Sequence, residues 1–186
     1  MCGIFAVFGY NDSHNRDTLL KCSKTLRHRG PDWNGIYFNE ETRVCVCHER
    51  LSIVGVNKGA QPIYDCPYNK TYVLTVNGEI YNHVGIKEIV LQDRYDFKTD
   101  SDCEVILHLY RELGTKFLNM LDGVFSFALY DGNENNFLVA RDPIGVNPLY
   151  YAVSKDGGVC VASEIKAIRE WSSDVEIKIF PPGHFM

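Results

Sequence analysis

The 186 residues and 21.2 kDa of this chain suit a single domain, and 45% hydrophobic with 23% charged residues is enough to bury a core without disulfide staples. Lys and Arg number 19 against 24 Asp and Glu, so the net charge is −5 and the sequence pI about 5.7, which gives no global field for nucleic acid or an anionic membrane. No run of about 18 apolar residues is present, so no membrane-spanning helix is expected. Met1-Cys2-Gly3-Ile4-Phe5-Ala6-Val7-Phe8-Gly9 lacks a basic leader and turns polar after Gly9, so it reads poorly as a signal peptide. The seven cysteines, Cys2, Cys22, Cys45, Cys47, Cys66, Cys103 and Cys160, are odd in number and without a CxxC pair. That pattern points to reduced thiols in a cytoplasmic protein and disfavours zinc.

In chain order, a first strand is expected over Gly3 to Gly9, then a helix around Asp17 to His28 with Leu19, Leu20, Ser23 and Leu26 buried and Gly30-Pro31 ending it. Gly35 to Phe38 and Arg43 to His48 alternate as paired strands around the turn Asn39 to Thr42. Tyr72 to Val76 reads as a central strand running into Asn77-Gly78. Ser101-Asp102-Cys103-Glu104 has the form of a capping box before Val105, Ile106, Leu109, Tyr110 and Leu113 on one helical face, and Gly114 stops that helix. Strands follow at Phe125 to Tyr130, Phe137 to Ala140, Leu149 to Val153 and Val159 to Ala162, turned by Asp131-Gly132 and Asp156-Gly157-Gly158. A short helix from Glu164 to Trp171 precedes an extended stretch and Pro181-Pro182-Gly183. Strands in adjacent runs, with the helices grouped, predict an α+β fold of antiparallel sheets with helices outside.

Cys2 carries the first chemical signal. If Met1 is removed, one residue bears both a thiol and a free α-amine. An α-amine titrates at about 7.7–8.0 and a free thiol at about 8.5, so the amine can act as base for its own side chain.

Further segments follow in order: His28-Arg29-Gly30-Pro31-Asp32, His48-Glu49-Arg50-Leu51-Ser52-Ile53-Val54, Gly59-Ala60-Gln61-Pro62, Asn77-Gly78-Glu79-Ile80-Tyr81-Asn82 and Ser101-Asp102-Cys103-Glu104. With Met1-Cys2-Gly3-Ile4 before them, and Arg141-Asp142-Pro143-Ile144-Gly145 and Phe180-Pro181-Pro182-Gly183-His184 after, the chain resembles the N-terminal glutaminase domain of glutamine-dependent asparagine synthetases. These are class II glutamine amidotransferases of the Ntn-hydrolase superfamily. The resemblance covers nearly the whole chain and implies a four-layer αββα sandwich of antiparallel sheets, with residues 1–186 forming one glutaminase domain. It implies hydrolysis of L-glutamine to L-glutamate and ammonia through a γ-glutamyl thioester on Cys2.

The resemblance makes the Asn77 side chain and the Gly78 N–H the oxyanion hole. Asn supplies an uncharged donor, and Gly permits close approach of the backbone. Arg50 would grip the substrate α-carboxylate with its guanidinium fork. Ile53 and Val54 would meet the ligand through backbone groups, and Glu79 and Asp102 would hold its ammonium. Asp102 falls in the first turn of the expected helix, where the dipole favours an anion. His28, His48 and His83 are read as structural, and Arg29-Gly30-Pro31-Asp32 as a loop beside the site with no catalytic assignment.

Family asparagine synthetases continue into an ATP-using domain with a Ser-Gly-Gly-x-Asp-Ser loop, and neither that loop nor a Walker A motif occurs here. The chain is then either a truncation or a stand-alone domain, and truncation is favoured because ammonia made without a channel would be lost; the expected partner is a C-terminal synthetase domain in cis, with ATP and Mg belonging to that domain only. No cofactor or metal is expected in this one, and no nucleic acid or membrane partner; a homodimer is compatible with the reading. The alternatives are an amidotransferase serving another ammonia acceptor, and an inactive binding module that keeps the fold.

Overall fold

A computed structural model describes residues 1–52, 58–65, 71–92 and 94–186. Strand β1 (Gly3–Phe8) is apolar on both faces, as a central strand must be. It pairs antiparallel with β3 (Val44–Arg50) on one side and with β9 (Val159–Ala162) on the other. With β2 (Trp33–Asn39), β8 (Tyr150–Val153) and β10 (Lys178–Ile179) these make a six-stranded sheet in the order β10-β8-β9-β1-β3-β2. A second sheet has the order β4-β5-β6-β7, from β4 (Ile63–Asp65), β5 (Tyr72–Ile80), β6 (Gly123–Asp131) and β7 (Asn136–Arg141). Every strand pairing is antiparallel.

Three apolar layers stack these elements. Phe5, Val7, Cys45 and Cys47 project from one face of the first sheet onto Leu19, Cys22 and Leu26 of α1 (Arg16–Lys24) and the turns after it, and onto Ala167, Ile168 and Trp171 of α4 (Ile165–Trp171). Ile4, Ala6, Val44 and Val46 point the other way, between the sheets, to meet Val73, Ala128, Tyr130 and Val139. Leu74, Val76, Phe127 and Leu129 then cover Val105, Ile106 and Leu109 of α3 (Glu104–Leu113). The period-2 alternation of the strands thus produces the expected helix–sheet–sheet–helix sandwich.

Several local expectations are corrected. Helix α1 ends at Lys24 rather than His28: Thr25 Oγ1 donates to the Cys22 carbonyl at 2.7 Å, and residues 25 to 30 continue in tighter turns. Cys22 replaces Leu20 on its buried face. Asn77-Gly78 does not follow β5 but lies within it, because β6 pairs in unbroken register from Tyr72↔Asp131 to Ile80↔Gly123. The capping box does not form: α3 begins at Glu104 with no side-chain cap, and the Glu104 carboxylate accepts from Lys98 N and Thr99 N, both at 2.7 Å. Asp102 therefore precedes the helix rather than sitting in its first turn. β4, α2 (His83–Gly85), the π-helical Ile86–Leu91 and the 3-10 helix Gly114–Met120 were not expected, while β10 falls in the stretch expected to be extended. Each is too short or too irregular to leave a periodic signature.

His48 lies fully buried between the sheets, its Nδ1 at 3.0 Å from Thr75 Oγ1. Burial there, aided by the Arg50 guanidinium, pushes its pKa down to about 3. The folded value lies below the unfolded one of about 6.5, so in between the unfolded chain holds an extra proton and stability rises with pH. From this group alone we expect the unfolding free energy to fall by about 1.5 kcal/mol between pH 6.5 and pH 5. Denaturant titrations of the wild type and His48→Gln should show that slope only in the wild type; equal slopes would contradict the assignment.

Candidate active site

Cys2 sits just before β1, half-buried, while the other described cysteines, Cys22, Cys45, Cys47, Cys103 and Cys160, are buried. Its Sγ accepts from Leu51 N at 3.4 Å and lies 3.6 Å from Leu51 O. Burial raises the Cys2 thiol pKa, against the lowering effect of the Leu51 N–H, the chain's amino terminus, Arg50 and Arg29. Near neutral pH the resting group is thus a thiol rather than a thiolate.

The loop of Arg29-Gly30-Pro31-Asp32 binds this corner together. Arg29 Nε donates to the Cys2 carbonyl at 3.0 Å, and its Nη1 to Glu164 Oε1 at 2.9 Å. Burial works against ionisation of Glu164, but hydrogen bonds from Arg29, Lys166 and His28 hold it at about 2, so it stays an anion. Asp32 accepts from Ser52 N at 2.8 Å. Gly30 is required by space, since a Cβ there would lie 2.1 Å from the Glu49 carbonyl oxygen.

A cavity of about 270 Å³ opens beside Cys2, walled by Arg50, Gln61, Asn77, Gly78, Glu79 and Asp102 among others. Asn77 is 2% exposed, and its Nδ2 is buried without a hydrogen-bond partner among the described residues. An unpaired buried amide donor is costly, and this one belongs to a residue that lines the cavity. Gly78 N–H follows from strand parity. Val76 N and Ile80 N point to the β5 edge away from β6, where they meet Gln61 Oε1 (2.8 Å) and Asp102 Oδ2 (2.6 Å). Gly78, between them in the same parity, directs its N–H to that same open edge. Its missing side chain is again dictated by space: a Cβ would lie 2.2 Å from the Val124 carbonyl oxygen.

The structure thus gathers Cys2, Arg50, Asn77, Gly78, Glu79 and Asp102 around one cavity, with Arg50 and Asp102 buried and Glu79 exposed. Ile53 and Val54 lie outside the described residues. His48 and His28 do not line the cavity, nor does His83. Sequence reasoning passed over three contributors: Arg29, which holds the Cys2 backbone; Gln61, which lines the cavity from a motif given no role; and Asp142. The buried Asp142 carboxylate accepts from Phe125 N, Ile144 N, Gly145 N and Val146 N, and so shapes the loop that presents Val146 and Asn147 to the cavity. Among the described residues no cluster of three or more His, Cys, Asp or Glu could hold a metal, and no helix is long and apolar enough to cross a membrane.

A sandwich of two antiparallel sheets between helices, in the order αββα, is the Ntn-hydrolase fold. The chain belongs to the glutamine amidotransferase domain family, whose model matches residues 1–181. It is 49% identical over its whole length to a probable glutamine-hydrolysing asparagine synthetase of Dictyostelium discoideum, and 48% to asparagine synthetase B of Escherichia coli. It spans about a third (33%) of the length of each of these curated relatives. In fold it matches, with a TM-score of 0.80 and 22% identity over 99% of this chain and 46% of the other, the allosteric regulatory enzyme of purine biosynthesis. A glutamine phosphoribosylpyrophosphate amidotransferase of Bacillus subtilis matches with a TM-score of 0.79 over the same shares.

Burial should separate Cys2 from the other described cysteines in thiol reactivity. Burial pushes Cys22 up to about 12, and Cys47, Cys103 and Cys160 well above the ordinary value. Limiting iodoacetamide near neutral pH should therefore alkylate Cys2 before Cys22, Cys45, Cys47, Cys103 or Cys160, as read by peptide mass mapping. Earlier labelling of any of the latter would contradict the described burial.

Proposed function

We propose that residues 1–186 form the glutaminase domain of a glutamine-hydrolysing asparagine synthetase, with Cys2 as nucleophile after removal of Met1. The observation that carries this is the unpartnered Asn77 amide beside the open-edge Gly78 N–H, in the cavity that also holds Cys2. In this mechanism the Cys2 α-amine takes the thiol proton, directly or through one water. The sulfur attacks the side-chain amide carbon of L-glutamine, forming an S–C bond and a tetrahedral oxyanion. Asn77 Nδ2 and Gly78 N donate to that oxygen as its charge develops. Collapse breaks the C–N bond, and the ammonium form of the amine returns the proton to the leaving nitrogen as ammonia. Water, deprotonated by the same amine, then attacks the γ-glutamyl thioester, and L-glutamate leaves as the thiol is restored.

At the amino-acid end, Arg50 pairs with the α-carboxylate, while Asp102 and Glu79 face the α-ammonium. Asp102 is oriented for this by Ile80 N, which fixes one carboxylate oxygen at 2.6 Å. Ile53 and Val54 would add backbone contacts. The relatives' names support asparagine formation: the ammonia would amidate an activated β-aspartyl group in a synthetase domain in cis, which would use ATP and Mg. The thiol nucleophile must stay reduced, which fits the cytoplasm.

Steady-state glutaminase kinetics test the division of labour. Arg50→Lys and Asp102→Asn should chiefly raise KM. Asn77→Ala should chiefly lower kcat, by ~10²–10³, because its donor matters most to the oxyanion. Equal effects on kcat and KM in all three variants would refute these roles.

A further inference from the structure

The Gly59-Ala60-Gln61-Pro62 segment has no part in the mechanism above, yet Gly59 and Gln61 line the cavity and Gln61 is 8% exposed. Its place follows from register. β4 pairs with β5 as Ile63↔Leu74, Tyr64↔Val73 and Asp65↔Tyr72. Two residues further along the same ladder, Gln61 would face Val76 and Gly59 would face Gly78. The backbone does not continue that way. At Gln61 it leans against the other sheet, so closely that a Cβ on Gly35 of β2 would lie 2.1 Å from the Gln61 carbonyl oxygen.

The side chain takes over where the backbone leaves. Val76 N donates to Gln61 Oε1 at 2.8 Å, and Gln61 Nε2 donates to Val76 O at 3.3 Å. A primary amide carries one acceptor and donors in the pattern of a peptide group, so it completes the Val76 rung of the ladder. It also ends the ladder there. Had the strand run on, a peptide group at Gly59 would occupy the Gly78 N–H. The side chain therefore satisfies the peptide before Asn77 and leaves the next donor facing the cavity.

We infer that Gln61 is a positioning residue for amide hydrolysis: its side-chain amide holds the Val76 peptide, and through it sets the Asn77 amide and the open Gly78 N–H at the cavity. This rests on the oxyanion role proposed for those two groups. Glutamate would lose the donor and set an anionic oxygen against the Val76 carbonyl, and methionine would lose both bonds at similar size.

The test uses Gln61→Glu and Gln61→Met, each with Cys2 confirmed as first residue by intact mass, and with competent sites counted by titration with a thiol-reactive glutamine analogue. Both should lose kcat on the order of 10²-fold, as misplaced reacting groups do, with KM unchanged. Cys2 alkylation by iodoacetamide should keep its wild-type rate, since the nucleophile is untouched. In the Asn77→Ala background, Gln61→Met should cost less than it does alone, because one of the two groups it positions is gone and only the Gly78 N–H remains. Wild-type kcat in the folded single variants would overturn the inference, as would a full multiplicative loss in the double variant. A slowed Cys2 alkylation would place the effect at the nucleophile and overturn it too. Wild-type kcat in Asn77→Ala alone would be a different failure, that of the oxyanion reading. If Gln61→Met does not fold, Gln61→Glu, which keeps the acceptor for Val76 N, decides the question.

Discussion

A chain terminus frays unless its backbone groups are bonded inside a sheet, and the rest of this molecule depends on preventing that at Cys2. β1 lies inside the six-stranded sheet with a partner on each side. Ile4 N donates to Ser163 Oγ, and Ser163 N donates to Ile4 O, both at 3.0 Å. Arg29 then reaches across to the Cys2 carbonyl and is itself held by an anionic Glu164. The second residue of the chain is thereby tied to the body of the domain through its backbone. In the proposed mechanism this fixing is what aims a nucleophile placed so near the chain's start.

The second sheet solves the complementary problem of presenting donors. Backbone N–H groups in a sheet are normally consumed by neighbouring strands. β5 keeps β6 along one edge, but β4 covers only the beginning of the other. Side chains finish that edge: Gln61 at Val76, Asp102 at Ile80 and the Cys103 thiol at the Gly78 carbonyl, 3.6 Å away. Among the described residues, what remains open is the Gly78 N–H next to the Asn77 amide. In the proposed mechanism that pair stabilises the oxyanion, and no reorganisation is needed when charge develops.

How much of this could be read beforehand depends on how local the cause is. The layered antiparallel architecture was legible because the strands come in adjacent runs with the helices grouped between them, and the family resemblance supplied the four-layer order. Cys2 was legible from its place in the chain, and Arg50, Asn77, Gly78, Glu79 and Asp102 from the family resemblance. Their settings were not. Asn-Gly reads locally as a turn, and only β6, more than 40 residues later, shows that it stays in a strand. Ser101-x-x-Glu104 reads as a capping box, but Glu104 turns to the Lys98–Thr99 backbone and Asp102 to Ile80. Arg29 and Gln61 escaped for the same reason. Their partners lie 27 and 15 residues away, at Cys2 and Val76, and are set by sheet register rather than spacing.

The central claim is that the α-amine of Cys2 serves as the base for its own thiol. Met1 lines the cavity, and while it is attached the nitrogen of Cys2 is an amide without basicity near neutral pH. The most direct measurement is glutamate release by two otherwise identical preparations, one with Met1 removed and one shown by intact mass to retain it. The account predicts activity only in the first, with both folded. Full activity in the chain that keeps Met1 would contradict it.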